Sequence, residues 1–157
     1  MDGVRAATID DVDDIERIVA AAYAPYVARI GREPAPMTVD YRNAVNQTDH
    51  VHVLIDSGET VGVLVIAITA DHVFVDSVAV AEGQKGRGLG KLLLGYAEQQ
   101  ARDAGLRHVR LYTNAAMTEN LSLYPHLGYR EVDRRIDEGF HRVYFEKTVE
   151  SAIIVEP

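Results

Sequence analysis

Apolar positions along this chain follow two different periods, and the changes of period mark its elements. Val12, Ile15, Ile18, Val19 and Ala22 recur at the three- and four-residue spacing of a helix with one buried face, and Thr8 or Asp10 stands where its N-cap belongs. Val4 to Ala6, just before, reads as a short strand. Around Pro25 the pattern predicts a second helix over Tyr23 to Ile30. The GREPAPM stretch from Gly31 to Met37 reads as an ordered, non-helical loop, and Asp40 to Gln47 as one more short helix.

From Val51 the character changes to β, with β-branched and apolar runs bounded by turn residues. Val51 to Asp56, Thr60 to Thr69 and His72 to Val80 read as three strands joined by the DSGE turn and by a break at Ala70 and Asp71, an antiparallel meander. A glycine-rich segment follows. Leu89, Leu92, Leu93, Tyr96 and Ala97 then share one face of a helix predicted over Gly88 to Ala104, which Gly105 ends. His108 to Thr113 alternates as a strand, and Met117 to Leu127 reads as a helix stopped by Gly128. Tyr129 to Arg135 and Arg142 to Thr148 read as closing strands joined through DEGF, Asp137 to Phe140. This order predicts a mixed α/β (α+β) fold whose sheet of about six to seven strands begins with the antiparallel meander and includes a parallel part.

Composition narrows the class. At 157 residues, 47% hydrophobic and 25% charged, the chain reads as one domain over 1–157 with a real core. Its longest apolar run, Val61 to Ala70, is about half of what a membrane-spanning helix needs, so no membrane partner is expected. Met1 to Ala7 carries an acid and has no apolar signal region, which predicts a cytoplasmic protein. No cysteine is present, which excludes disulfides, thiolate metal sites and a cysteinyl acyl-enzyme. The net charge of −8 argues against nucleic acid as a partner. Between Gln84 and Lys91, however, the only charged residues are Lys85, Arg87 and Lys91, a locally positive segment suited to a small anion.

The stretch VAVAEGQKGRGLGKLLL, Val78 to Leu94, runs from strand to glycine turn to helix. A triphosphate loop fails twice here, because Lys85 stands at its first glycine and Leu92 at its magnesium-binding hydroxyl. A dinucleotide fingerprint matches at Gly86 and Gly88, but its third glycine is Lys91 and three strands already precede it. What remains is a turn whose Arg87, Gly88, Leu89, Gly90 and Lys91 amides can converge on a pyrophosphate, with Gly86, Gly88 and Gly90 keeping the approach clear. A turn chosen only for tight packing is the bland alternative.

This stretch resembles motif A of the GNAT superfamily of N-acetyltransferases, with Lys85 in the Gln/Arg place and Gly88 and Gly90 in the glycine places. LYTNAAMTENLSLYPHLGYREV, Leu111 to Val132, resembles motif B, with Tyr124 three residues before the Leu-Gly-Tyr that opens the next strand. Where the family often has an asparagine this chain has Met117, with Asn120 one turn later.

The resemblance implies a GNAT-like fold with a central parallel pair splayed for the cofactor and helices on both faces. It implies acetyl coenzyme A as cofactor, held by the backbone of Val78, Ala79 and Val80, by the Lys85 to Lys91 turn, and by Asn120 and Tyr124. It also implies direct transfer to a small-molecule or peptide amine in a ternary complex. Tyr124 takes the family's general-acid place; a phenol pKa near 10 against about 8.5 for a thiol makes that donation reasonable. Asp76, on the strand face shared with Val78 and Val80, is the candidate base, weighed equally with an ordinary polar sheet residue. Tyr23, Tyr26 and Met37 after the first strand, and His141 in the closing hairpin, are candidates for the acceptor side. His50 and His52 lie two apart on a predicted strand, but no third ligand is evident and no metal is expected. A binding-only reading, an acyl coenzyme A sensor without efficient transfer, stands as the alternative, and a homodimer is compatible with the family.

Overall fold

The helical period that begins at Val12 builds one long helix where two were expected. In the computed structural model, which describes residues 1–150, α1 runs Val12–Ile30 straight through Pro25. Proline removes one helical donor and crowds the preceding turn. Pro25 is exposed, so its ring displaces no packed neighbour, and the buried Ile15, Ile18 and Val19 hold the helix on its other side. Gly31 ends α1 at φ 90°, its N–H donating to Val27 O at 2.8 Å. The expected loop after it also contains a turn of 3₁₀-helix, Ala35–Thr38, where Pro36 is tolerated because a first-turn residue has no helical donor to lose. Before α1, the capping role falls to Asp11 as well as Thr8. The Asp11 carboxylate accepts the Thr8 N–H at 2.7 Å and holds Arg5 at 2.7 Å.

The remaining elements are β1 (Gly3–Ala6), α2 (Tyr41–Gln47), β2 (Val51–Asp56), β3 (Glu59–Ile68), β4 (Val73–Val80), α3 (Leu89–Asp103), β5 (His108–Asn114), α4 (Thr118–His126), β6 (Arg130–Asp137) and β7 (Phe140–Thr148). The strands form a seven-stranded mixed sheet of order β1-β2-β3-β4-β5-β7-β6. Two compact units divide the described residues, Met1–Ile66 with Asp76–Leu94, and Ala67–Val75 with 95–150.

In the first unit β1, β2 and β3 form an antiparallel meander. Ser57 and Gly58, at φ 52° and 80°, make the two-residue turn between β2 and β3. Val12, Ile15, Ile18 and Val19 of α1 pack with Val51, Val53, Val63 and Ala79 on one sheet face. On the other, Gly62 lets Leu93 of α3 approach so closely that a β-carbon there would lie 2.9 Å from the leucine methyl. Helices therefore cover both faces of this unit.

In the second unit the start of β4 runs parallel to β5 for only three pairs, ending at Val75↔Leu111. β7 pairs with β5 along its length, and β6 pairs with β7 down to Asp137↔Phe140. The hairpin is longer than its hydrophobic alternation indicates, because Glu138 and Gly139 at φ 53° and 80° form a tight two-residue turn that lets the ladder close completely.

Candidate acyl-cofactor site

The turn from β4 to α3 has a backbone that only this kind of sequence adopts. Gly86 and Gly88 sit at φ 84° and 73°, where a side chain is strained. No atom lies within 4 Å of a β-carbon built on Gly86, Gly88 or Gly90, so the space above the turn is open. The first helical bond of α3 is Leu92 N–H to Gly88 O at 3.0 Å. The N–H groups of Leu89, Gly90 and Lys91 thus precede the helical ladder, at the positive end of a 15-residue helix. The buried side chain of Leu89 anchors the turn from beneath, and Lys85 and Lys91 are exposed beside it. These donors suit a pyrophosphate.

Arg87 is placed differently from its two cationic neighbours. Its guanidinium bonds the Asp56 carboxylate at 2.9 Å and the Gln84 side-chain oxygen, so both of its arms are engaged by protein. Asp56 also receives the Met1 amino group at 3.5 Å. Arg87 holds the Asp56 carboxyl below the usual aspartate range. Asp56 was visible in the sequence only as a turn residue, and nothing local connects it to Arg87.

Just past the end of β4 the Ala81 N–H donates to Val61 O at 2.8 Å, which fixes the alternation along the strand. Ala79 likewise turns its backbone groups to β3, while Val78 and Val80 turn theirs away. The Tyr23 hydroxyl donates to Val78 O at 3.2 Å, bringing one candidate acceptor residue to this strand. Asp76 lies on the same strand face as Val78 and Val80, and its side chain reaches solvent. Loss of hydration in its surroundings raises its carboxyl above the ordinary aspartate value, opposed by the charge of His50.

The other candidates are dispersed. Tyr26 carries the Arg29 guanidinium 5.0 Å above its ring, and Met37 packs against the α1 core. His141 is exposed, its carbonyl accepting the Ala115 N–H at 2.8 Å. His50 immediately precedes β2, its carbonyl accepting the Ile66 N–H at 3.0 Å. The buried His52 ring sits 3.1 Å from the His50 carbonyl, and burial pushes its pKa down.

In the second unit Tyr124 is half-buried on α4, its ring 6.0 Å from that of Tyr129 and 5.5 Å from that of Phe145. Asn120, one turn earlier, donates to Thr113 Oγ1 at 3.0 Å, and Met117 is buried where the family's asparagine was expected. Beneath them lies a cluster that the sequence did not signal. Glu98 accepts from the Tyr129 hydroxyl at 3.0 Å and pairs with Lys147 at 2.9 Å, and Lys147 also caps the end of α4 through Leu127 O at 3.1 Å. Burial first, then the Glu98 charge, pushes the Tyr129 hydroxyl far above the ordinary tyrosine range.

A strand whose backbone groups at Val78 and Val80 turn away from β3, running into an amide-lined glycine turn, is the arrangement of an acyl-cofactor-binding transferase. The chain belongs to the acetyltransferase (GNAT) family, whose model matches residues 14–129. It is 30% identical over 138 residues to an uncharacterized N-acetyltransferase, YjgM, of Escherichia coli strain K12, covering 83% of each chain. Among solved structures it resembles the ribosomal-protein-S18-alanine N-acetyltransferase of Escherichia coli, with TM-score 0.75, 18% identity, and 97% and 96% of the two chains covered. It also resembles the PaiA N-acetyltransferase of Thermoplasma acidophilum in complex with coenzyme A, with TM-score 0.75, 16% identity, and 92% and 97% covered. The protein is an acetyl coenzyme A-dependent acetyltransferase, of a family that acts on small-molecule or protein amines. No helix among the described residues is long and apolar enough to cross a membrane.

Proposed function

We propose that the whole chain acts as one domain that moves an acetyl group directly to an amine in a ternary complex. The observation that carries this reading is the junction of β4 and α3, where outward-facing backbone groups of Val78 and Val80 lead into the open amide turn at Leu89, Gly90 and Lys91. Acetyl coenzyme A supplies the activated thioester. The Val78 N–H is assigned to polarise the acyl carbonyl, in the manner of an oxyanion donor. The Tyr124 hydroxyl is assigned to protonate the departing sulfur. Asp76 is assigned to take the amine proton, directly or through water, and its raised carboxyl pKa makes it a better base than an ordinary aspartate. Lys85 and Lys91 add charge at the pyrophosphate, while Gly86, Gly88 and Gly90 keep its approach clear.

Without a cysteine to carry the acetyl group, a covalent cysteinyl intermediate has no residue to form on. A cysteine-free chain also suits the reducing cytoplasm. Acceptor choice is assigned to Tyr23, Tyr26 and Met37 and to His141. An acceptor screen that detects released thiol, run over polyamines, amino acids, aminoglycosides and short peptides, tests the reading. Turnover with at least one amine class is expected, and its loss on the order of a hundredfold in Tyr124→Phe with acetyl coenzyme A affinity retained. Undiminished turnover in that variant would remove Tyr124 from the mechanism.

A further inference from the structure

We propose that Asp56 is a positioning residue for the cofactor turn, acting through Arg87 to hold the glycine backbone in its anion-accepting shape. This rests on the reading of the β4 to α3 turn as the pyrophosphate cradle. Arg87 sits between Gly86 and Gly88, both at positive φ. Glycine loses more backbone freedom on ordering than any other residue, so this segment is costly to hold in one conformation. Asp56 stands on firm ground. It ends β2, is paired with Glu59 across the tight Ser57-Gly58 turn, and its side chain is 19% exposed. One guanidinium arm of Arg87 takes Asp56 at 2.9 Å and the other takes Gln84, tying the turn to the hairpin and to its own preceding residues.

The opposing account makes Arg87 a direct phosphate ligand, with Asp56 as an intramolecular anion that competes for it. The two accounts predict opposite signs for Asp56→Asn. Losing a competitor frees Arg87 and tightens binding, whereas losing a brace loosens the turn and weakens it. An exposed ion pair adds little to global stability, so a purely structural contact would leave affinity for the cofactor unmoved.

The experiment measures acetyl coenzyme A affinity by calorimetry, at low and high salt, for the parent, Asp56→Asn, Asp56→Glu, Arg87→Gln and the Asp56→Asn/Arg87→Gln pair, with melting temperatures alongside. Each single loss should weaken binding on the order of tenfold, the scale of lost preorganisation, and the pair should be no weaker than either single variant. Asp56→Glu should recover most of the affinity. Arg87→Gln should keep the parent's salt dependence, whereas Lys85→Gln should flatten it. Asp56→Asn that binds as tightly as the parent or tighter, or losses that simply add, would overturn the proposal while leaving the cradle intact. A parent that does not bind acetyl coenzyme A overturns both the cradle reading and this one.

Discussion

The Tyr23 hydroxyl of α1 donates to the carbonyl oxygen of Val78 on β4 at 3.2 Å, a bond across 55 residues of sequence. It fastens the first helix to the strand whose outward-facing groups receive the acyl donor in the proposed function. Tyr23→Phe deletes one half-buried hydrogen bond and should cost about 0.5–1.5 kcal/mol by urea denaturation. Because the lost bond lies at the assigned reaction end, the KM for the amine should rise more than the affinity for acetyl coenzyme A falls.

Gly88 and Gly90 separate two reasons for glycine in one turn. Both have open space at the β-carbon position, but only Gly88 is at positive φ. Gly88→Ala should therefore destabilise the fold by about 1–2 kcal/mol through backbone strain, with no clash involved. Gly90→Ala lies within α3 and should stabilise it by roughly 0.5–1 kcal/mol. If both variants nonetheless weaken acetyl coenzyme A binding in calorimetry, close backbone approach is what the turn needs.

Glu98 is buried, pairs with Lys147 and accepts the Tyr129 hydroxyl. Lys147→Met leaves that carboxylate without its cation and the end of α4 without its cap, and should cost about 3 kcal/mol. Tyr129→Phe removes one bond to the same group and should cost about 1–3 kcal/mol. Glu98→Gln/Lys147→Met together should cost less than the sum of the two single changes, a coupling readable from urea midpoints.

Acid should unfold the chain through two paired carboxylates. Glu146 is held by Arg110 at 2.8 Å and Arg130 at 3.2 Å, and Asp11 by Arg5 at 2.7 Å. The hydrogen bond from Arg110 and that from Arg5, respectively, hold these carboxyls below their ordinary values against the opposing effect of burial. Groups with depressed folded-state pKa stabilise fully above their unfolded values, about pH 4, and lose that contribution as pH falls through the folded values. Stability measured by denaturation should drop below about pH 4, and Arg5→Met should flatten part of that drop.

Asp76 shifts in the other direction. Its carboxyl is raised by loss of hydration, so the acid limb of a kcat/KM profile governed by it should lie above the ordinary aspartate value. Asp76→Asn should abolish that limb and lower kcat/KM. A profile unchanged in Asp76→Asn would leave Asp76 as a sheet residue and put proton removal elsewhere.

Strand identity was readable because the meander from Val51 to Val80 is made of β-branched apolar runs bounded by turn residues, and the helix after the glycines because Leu89, Leu93 and Ala97 recur at helical spacing. The glycine turn was readable too, since positive φ at Gly86 and Gly88 is a local demand that only residue type can meet. The course of α1 through Pro25 was not. One lost donor is a local penalty, and the packing of Ile15, Ile18 and Val19 against β2 and β3 outweighs it.

The sequence by itself determined most of the elements, the glycine turn and the family, because backbone conformation and hydrophobic period are properties of near neighbours. Only the tertiary structure decided that β7 lies between β5 and β6, that Arg87 is held by Asp56 across 31 residues, and that Glu98, Tyr129 and Lys147 meet. Those relationships depend on strand order and on which charges are desolvated together. Neither leaves a mark in the spacing of residues along the chain.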